Sequence, residues 1–462
     1  MAMKERRDRP PESVDIVVLN ASELLTLAGA LHRPKTGGEM RELGLIQDGG
    51  LAIEGCEFVA VGPSREIESK YAGKAKRVID ASGKVVMPGF VDPHTHAVFA
   101  GWRDREWVMR LGGMDYLDVL TAGGGILETV RATRAASQEE LVTITKKHLD
   151  TMLLHGTTTA EVKSGYGLDF ENEVKILKVI EALGEGHPIR LIPTFLGAHA
   201  VPAEYKDDPE GYVEAVMGWL PEVKPLARFC DVFLEEGAFN LAQAERILVR
   251  ARGLGIALKL HAGEFKDLGG AGLALRLGAT SVDHLDYISE EDMAKMARRG
   301  KKVQGFNPPK AEKVQRLKGS KVQGVTVAVL LPGVPFFLGR ERYASARVMI
   351  DLGVPVAIGT DFNPGTCPSP NMQLIMTLAC LELGMTPEEV ISAATINAAH
   401  ALGYAHRVGS LEVGKRADVL ILDVPTYTRL TYQFGVNHVE TVIKTGKVVV
   451  EGKRQMSYLA KI

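Results

Sequence analysis

At 462 residues the chain has room for one large domain with a smaller companion, or for two to three small ones. Apolar residues make up 45% and charged residues 24%, so a soluble globular protein with a real core is expected. Lys+Arg (55) and Asp+Glu (57) nearly cancel, which excludes the global field that nucleic acid or an anionic membrane would need and favours a small-molecule substrate as partner.

The first 13 residues, MAMKERRDRPPES, are charged and proline-rich. They are expected to be disordered, and without an apolar h-region they do not read as a signal peptide. Cys56, Cys230, Cys367 and Cys380 are far apart and form no CxxC pair, so they read as free thiols in a reducing compartment. The longest apolar stretch, Val325 to Leu338, is broken by Pro332, Gly333 and Pro335 and is too short to span a bilayer. The expected location is the cytoplasm. From about 14 to 86, VDIVVLN, GLAIEGCEFVAVG and KRVIDASGKVVMPG read as strands joined by glycine turns, with no helix of any length. GSLEVGKRADVLILDV and VETVIKTGKVVVEG repeat that texture near the other end. Residues 1–86 and 406–462 are therefore expected to build one small β-sandwich from both termini, beside a central domain at 87–405.

The middle alternates short apolar runs with amphipathic helical stretches. Eight such runs are GFVDPHTH (89–96), TTTAEVKS (157–164), IRLIPTFLG (189–197), FCDVFLEE (229–236), IALKLHAG (256–263), TSVDHL (280–285), VTVAVLLP (325–332) and PVAIGTD (355–361). SQEELVTITKKHLDTMLLHG and SEEDMAKMARRG both open on Ser with Glu in the first turn, as capped helices do. Eight strands alternating with helices predict an α/β fold, a closed (β/α)8 TIM-like barrel. An open doubly wound sheet is the alternative, and it lacks the GxGxxG that would follow its first strand. Lys301 to Gly324 is basic, carries KVQG twice, and is longer than one helix needs; it reads as a solvated surface insertion near the active-site face.

In such a barrel the site lies at the C-terminal strand ends. The first strand ends in His94 and His96, an i, i+2 pair that points to one face. Strand three ends at His199, strand five at His261, strand six at His284 and strand eight at Asp361. A lone HxH is weak, and a lone buried His is usually a satisfied core residue. Yet five of only 12 histidines fall at strand ends, so metal ligation by His94, His96, His261 and Asp361 is expected. Two-metal barrels bridge their ions through a carboxylated Lys at the end of strand four. Here that strand ends in Glu235 and Glu236, and Lys163 ends strand two instead, where it reads as an ion-pair or hydrogen-bond partner. One metal is expected, which leaves His199 and His284 for substrate or proton transfer.

PGFVDPHTH, followed by a strand-five His and a strand-eight Asp, resembles the amidohydrolase superfamily. Within it, DPHTHAVFAGWRDREW, AGGGILETVRATRAAS, TTTAEVKSGYGLD, FLGAHAVPAEY, KLHAGEF, ATSVDHL and GTDFNPGT are similar to the family that opens the ring of 4-imidazolone-5-propionate in histidine degradation. The resemblance implies one divalent ion per subunit, zinc or iron, held by His94, His96, His261 and Asp361. It implies a pocket lined by Arg103, Tyr166, His199, Glu264, Asn363, Gly365 and Thr366, and a homodimer. Arg103 would offer a fork to the substrate carboxylate, or would pair with Asp104 or Glu106. Tyr116 is a further candidate contact, and AGGGI (Ala122 to Ile126) reads as a flexible loop over the pocket. Asp361 is expected as general base, His284 to polarise the ring oxygen, and Glu264 to orient water or relay a proton. Two departures stand out: Gly263, where the family usually has Asp in KLHADEF, and the 301–324 insertion. The rivals are another cyclic amide hydrolase or aminohydrolase of the superfamily, and a barrel that has lost catalysis and serves as a binding scaffold.

Overall fold

The computed structural model describes residues 13–114, 124–304, 325–452 and 455–456. The N-terminal dozen residues, Tyr116, the first two residues of AGGGI and positions 305–324 of the insertion lie outside the described residues. The insertion's first residues, 301–304, belong to the helix Glu290–Gln304.

The strands in chain order are β1 (Val14–Leu25), β2 (Leu45–Glu54), β3 (Glu57–Pro63), β4 (Ala75–Asp80), β5 (Val85–Pro88), β6 (Phe90–Asp92), β7 (Thr157–Lys163), β8 (Arg190–Ala198) and β9 (Phe229–Leu234). They continue with β10 (Ala257–Leu258), β11 (His261–Ala262), β12 (Ser281–His284), β13 (Val327–Leu330), β14 (Val356–Ile358), β15 (Val419–Leu422), β16 (Val439–Lys444), β17 (Lys447–Glu451) and β18 (Gln455–Met456). Strands β6 to β14 form the barrel, paired in parallel in the order β14-β13-β12-β11-β9-β8-β7-β6, with β10 beside β9. The ring closes where Thr95 bridges Phe362, with Asp361 N donating to His94 O (3.0 Å) and His96 N to Phe362 O (2.9 Å). All eight expected runs supply a barrel strand.

Strand five is interrupted between β10 and β11. There the carboxylate of Asp231 reaches across from β9 and accepts the His261 amide at 3.1 Å, in place of a ladder bond. The helix Gln138–Leu154 starts with the expected capping box: Ser137 Oγ accepts from Glu140 N and Glu140 Oε2 from Ser137 N, worth roughly 1 kcal/mol. Ser289 Oγ caps the helix Glu290–Gln304 by accepting from Asp292 N.

The two ends of the chain build one continuous sheet, β18-β17-β16-β15-β5-β1-β2-β3, with β4 on β1. Within this sheet β1 changes partners: its first half pairs with β4, its second half with β5. The switch falls at a register shift around Asn20, whose φ of 61° bends the strand. Ile16, Val18, Leu51, Val86, Val419 and Ile443 from both wings then share one apolar cluster. One expectation fails here. Ser64–Tyr71 is a helix, hidden in the sequence because only Ile67 gives it a buried apolar position, against Val14, Val17 and Ala52.

Asn397 ties the sheet side to the barrel: its amide donates to Lys35 O and Val356 O and accepts from Lys35 N. His400 Nε2 meets Ala30 O at 2.7 Å. The four cysteines are free, as expected.

Candidate active site

Five buried side chains converge at the C-terminal mouth of the barrel. His94 and His96 follow β6, His261 opens β11, His284 ends β12 and Asp361 follows β14. His94 Nε2 and His96 Nε2 lie 3.3 and 3.4 Å from Asp361 Oδ1. His96 Nε2 and His261 Nε2 face each other at 3.4 Å, and His284 can bring a nitrogen within 4.8 Å of donors from His94 and His261. His94 Nε2 and Asp361 Oδ1 are buried without a hydrogen-bond partner. Lone pairs stripped of water and left unshared are costly, and a divalent cation is the acceptor that fits imidazole nitrogens and a carboxylate oxygen. Burial, more than any neighbour, holds His94 and His96 well below the usual imidazole range, which favours the neutral rings that a cation would need.

The backbone is bent to aim these groups. His284 has φ 79°, Leu285 φ 63° and Asp361 φ 48°, left-handed values that non-glycine residues adopt at a cost of order 1–3 kcal/mol each.

Beneath the mouth lies a layer of buried charge that the sequence reading missed, apart from Lys163. His94 Nδ1 donates to Asp283 Oδ2 at 2.6 Å, which fixes Nε2 toward the cluster. His261 Nδ1 sits 2.9 Å from Asp231 Oδ2, off the line of a good hydrogen bond. Lys163 Nζ donates to Asp231 (2.8 Å) and approaches Glu161 (2.9 Å), while Lys259 Nζ donates to Glu161 and to Pro93 O, both at 2.7 Å. Burial alone would lower Lys163, but Asp231, Glu161 and Asp283 outweigh it and hold the ammonium charged. The expected ion-pair role of Lys163 is therefore met, in a dry network rather than a solvated one.

Above the ligands opens a cavity of about 660 Å³. Arg103, Tyr166, His199, Glu264, Asn363 and Thr366 all line it, together with His96, His261, His284 and Asp361. His199 stacks on His96 at 4.9 Å between centroids, and its Nδ1 meets Gly165 O at 3.0 Å. Arg103 pairs in bidentate fashion with Glu106 (2.8 and 2.5 Å), the second of its two expected partners, and the pair is buried rather than superficial. Gly365 is not a wall of the cavity; a Cβ there would lie 2.0 Å from Arg103 Nη1, so it makes room for the guanidinium. Asn363 accepts from Gly365 N and Thr366 N and donates to Asp361 O, which ties the loop to the cluster. Glu264 stands 3.8 Å from His284 Nε2. Burial and then the Asp361 charge raise its carboxyl well above the ordinary value, whereas burial pushes His284 down to about 3.

Two cavity cations escaped the sequence reading, Arg110 and Arg340. Arg340 lies over the Phe265 ring at 3.9 Å and donates to Glu264 O. Its only signal was a GRER run after strand seven. Gly263 has φ 69°, and a Cβ there would meet Tyr287 O at 2.2 Å, so this chain has no space for the Asp that the family usually carries.

Comparison with known proteins gives three findings. Residues 85–449 match the model of the amidohydrolase family. The imidazolonepropionase of Alkaliphilus metalliredigens (strain QYMF) is 48% identical over 96% of this chain and 99% of its own, and that of Symbiobacterium thermophilum is 48% identical over 95% and 98%. Among solved structures, a zinc-bound adenosine deaminase from Xanthomonas campestris superposes with a TM-score of 0.68 at 19% identity, covering 98% of this chain and 97% of its own. The E. coli guanine deaminase follows at 0.67 and 17%, covering 96% and 100%. These two likenesses concern the fold.

Proposed function

The chain belongs to the amidohydrolase family, and on that premise we infer that it is the metal-dependent hydrolase that opens the ring of 4-imidazolone-5-propionate to give N-formimidoyl-L-glutamate. The observation that carries this reading is 48% identity to an imidazolonepropionase over 96% of the chain.

His94, His96, His261 and Asp361 would hold one divalent ion, and three imidazoles with a carboxylate suit zinc or iron. The absence of a Lys at the end of β9, and the engagement of Lys163 by three carboxylates, support a single ion. When bound, the metal supplies Lewis acidity, which makes water nucleophilic near neutral pH. Asp361 is placed to take a proton from the attacking water as general base. Water adds to the ring carbonyl carbon, the C–N bond breaks, and the departing nitrogen takes up a proton. Glu264, whose carboxyl burial and the Asp361 charge raise well above its ordinary value, is placed to deliver it. His284, neutral, offers a hydrogen bond to the carbonyl oxygen as charge develops there. Arg103, Tyr166 and His199 hold the propionate and the ring, Asn363 and Thr366 shape the wall that faces them, and Gly365 leaves room for the Arg103 guanidinium. Tyr166 stays a neutral donor because burial pushes its hydroxyl well up.

The same reading takes the protein as a cytoplasmic homodimer. Among the described residues no helix is long and apolar enough to cross a membrane. The test is consumption of 4-imidazolone-5-propionate by purified enzyme, followed by ultraviolet absorbance with and without chelator. Chelator-sensitive loss with formimidoylglutamate as product is expected, and Asp361→Ala should reduce turnover to background. No turnover with metal bound would overturn the substrate assignment and return the choice to another cyclic amide or an amino-substituted ring.

A further inference from the structure

A second cleft lies at the opposite end of the barrel. Arg190 opens β8 and Arg228 immediately precedes β9, whereas His199 and Glu235 follow the far ends of the same strands. Nine residues of β8 at about 3.3 Å each put roughly 30 Å between the two ends. Tyr404, His406, Arg407 and Arg416, from the segment leading into the terminal sheet, complete a cleft of about 160 Å³, about five waters' share of liquid volume.

Four guanidinium groups and an imidazole meet here, and no acidic side chain lines the cleft. Among the described residues none of the four arginines has a carboxylate within ion-pair distance. The nearby acid Asp418 is already occupied by Lys444 Nζ and Thr445 N. The chain as a whole has a formal charge of −2, so the cluster is not one sample of a basic surface. Its members are also held in place. Arg228 lies over the Tyr404 ring at 4.8 Å and donates to Gly403 O, Arg190 lies over the same ring at 5.8 Å, and the Arg416 amide donates to Arg407 O.

We propose that this cleft is a binding site for a small anion carrying a phosphate group. Packing four like charges together raises the energy of the empty cleft, and an anion shared among them reverses the sign of that effect. The planar forks of arginine match phosphate oxygens in pairs, and the cleft is large enough to hold that group. The local field is visible on His406, which burial, Arg407 and Arg228 together hold below its ordinary value.

Calorimetric titration of the full-length, metal-loaded enzyme with inorganic phosphate, and separately with AMP, at ionic strength fixed with KCl, tests the site. Saturable binding with Kd below ~1 mM is expected. Arg190→Gln with Arg407→Gln should weaken it by about tenfold or more at unchanged kcat/KM, since neither residue touches the reaction site. Equal affinity for the two probes identifies the phosphate group itself as the ligand, and tighter AMP binding identifies a nucleotide; both support the proposal. Should the double variant fail to fold, Arg416→Lys, which keeps the charge and loses the fork, should still weaken binding. Heat no greater than the KCl blank overturns it, and so does an unchanged Kd in the variants, because the anion would then bind outside this cleft.

Discussion

Gly263 carries much of the local geometry of strand five. Its backbone is left-handed, its carbonyl accepts from Tyr287 N at 2.8 Å, and the missing Cβ leaves space for Tyr287 O. Gly263→Ala should therefore destabilise the protein by about 2 kcal/mol or more, read as a shift in the urea midpoint, and should lower activity through the adjacent Glu264. Asp283 acts through His94 rather than on substrate. Asp283→Asn should weaken metal binding about 10- to 100-fold in competition with a chromophoric chelator. An affinity equal to wild type would show that the His94–Asp283 contact positions nothing. If Arg103 holds the propionate as proposed, alike in the ground and transition states, Arg103→Ala should raise KM with a smaller change in kcat. Its Glu106 partner would then be left buried without its cation, so a thermal melt must accompany the kinetics.

The strands show why part of the site was readable and part was not. HxH after the first strand, and imidazoles or a carboxylate at the ends of strands three, five, six and eight, are visible because histidine is scarce and strand ends are punctuated. Glu161, Asp231, Lys259 and Asp283 left a fainter trace. Asp231 is a single charge inside an otherwise apolar parallel strand, where an all-apolar run is the rule, and the other three stand in or beside equally buried strands; that anomaly was the usable signal. What no strand could reveal is that these charges meet, since the pairing depends on the stagger between neighbours. The Ser64–Tyr71 helix stayed hidden for the opposite reason: it buries too little to leave a periodicity. Lys163→Met tests the layer as a unit. Removing one of its two cations leaves three acids around one lysine, and the variant should lose roughly 3–5 kcal/mol of stability, measured by chemical denaturation. A loss under 1 kcal/mol would mean that the layer tolerates its own charge imbalance.

At the scale of the molecule, the barrel and the terminal sheet are held together by a few polar contacts set in a large shared core. His400 is one of them, and burial holds its imidazole down to about 4. The folded chain thus keeps His400 neutral where the unfolded chain, with an ordinary value near 6.5, binds a proton. The stability linked to this difference is complete above about pH 6.5 and is lost as pH falls toward 4, at most about 3 kcal/mol because the ring keeps some exposure. His400→Gln should flatten that part of the stability-against-pH curve between pH 7.5 and 4.5, and an unaltered slope would assign the acid sensitivity to other buried imidazoles. The closure of the ring at Thr95 and Phe362 has a consequence for biosynthesis. The residues that meet there, and His94 and Asp361 beside them, stand at the ends of the first and last barrel strands, so most of the barrel is made before they can meet. A chain made only as far as strand seven has the histidines without Asp361, and a ring with an open seam. On the proposed reading the full donor set exists only where that seam has closed, so the ion content of a preparation counts closed barrels rather than polypeptide.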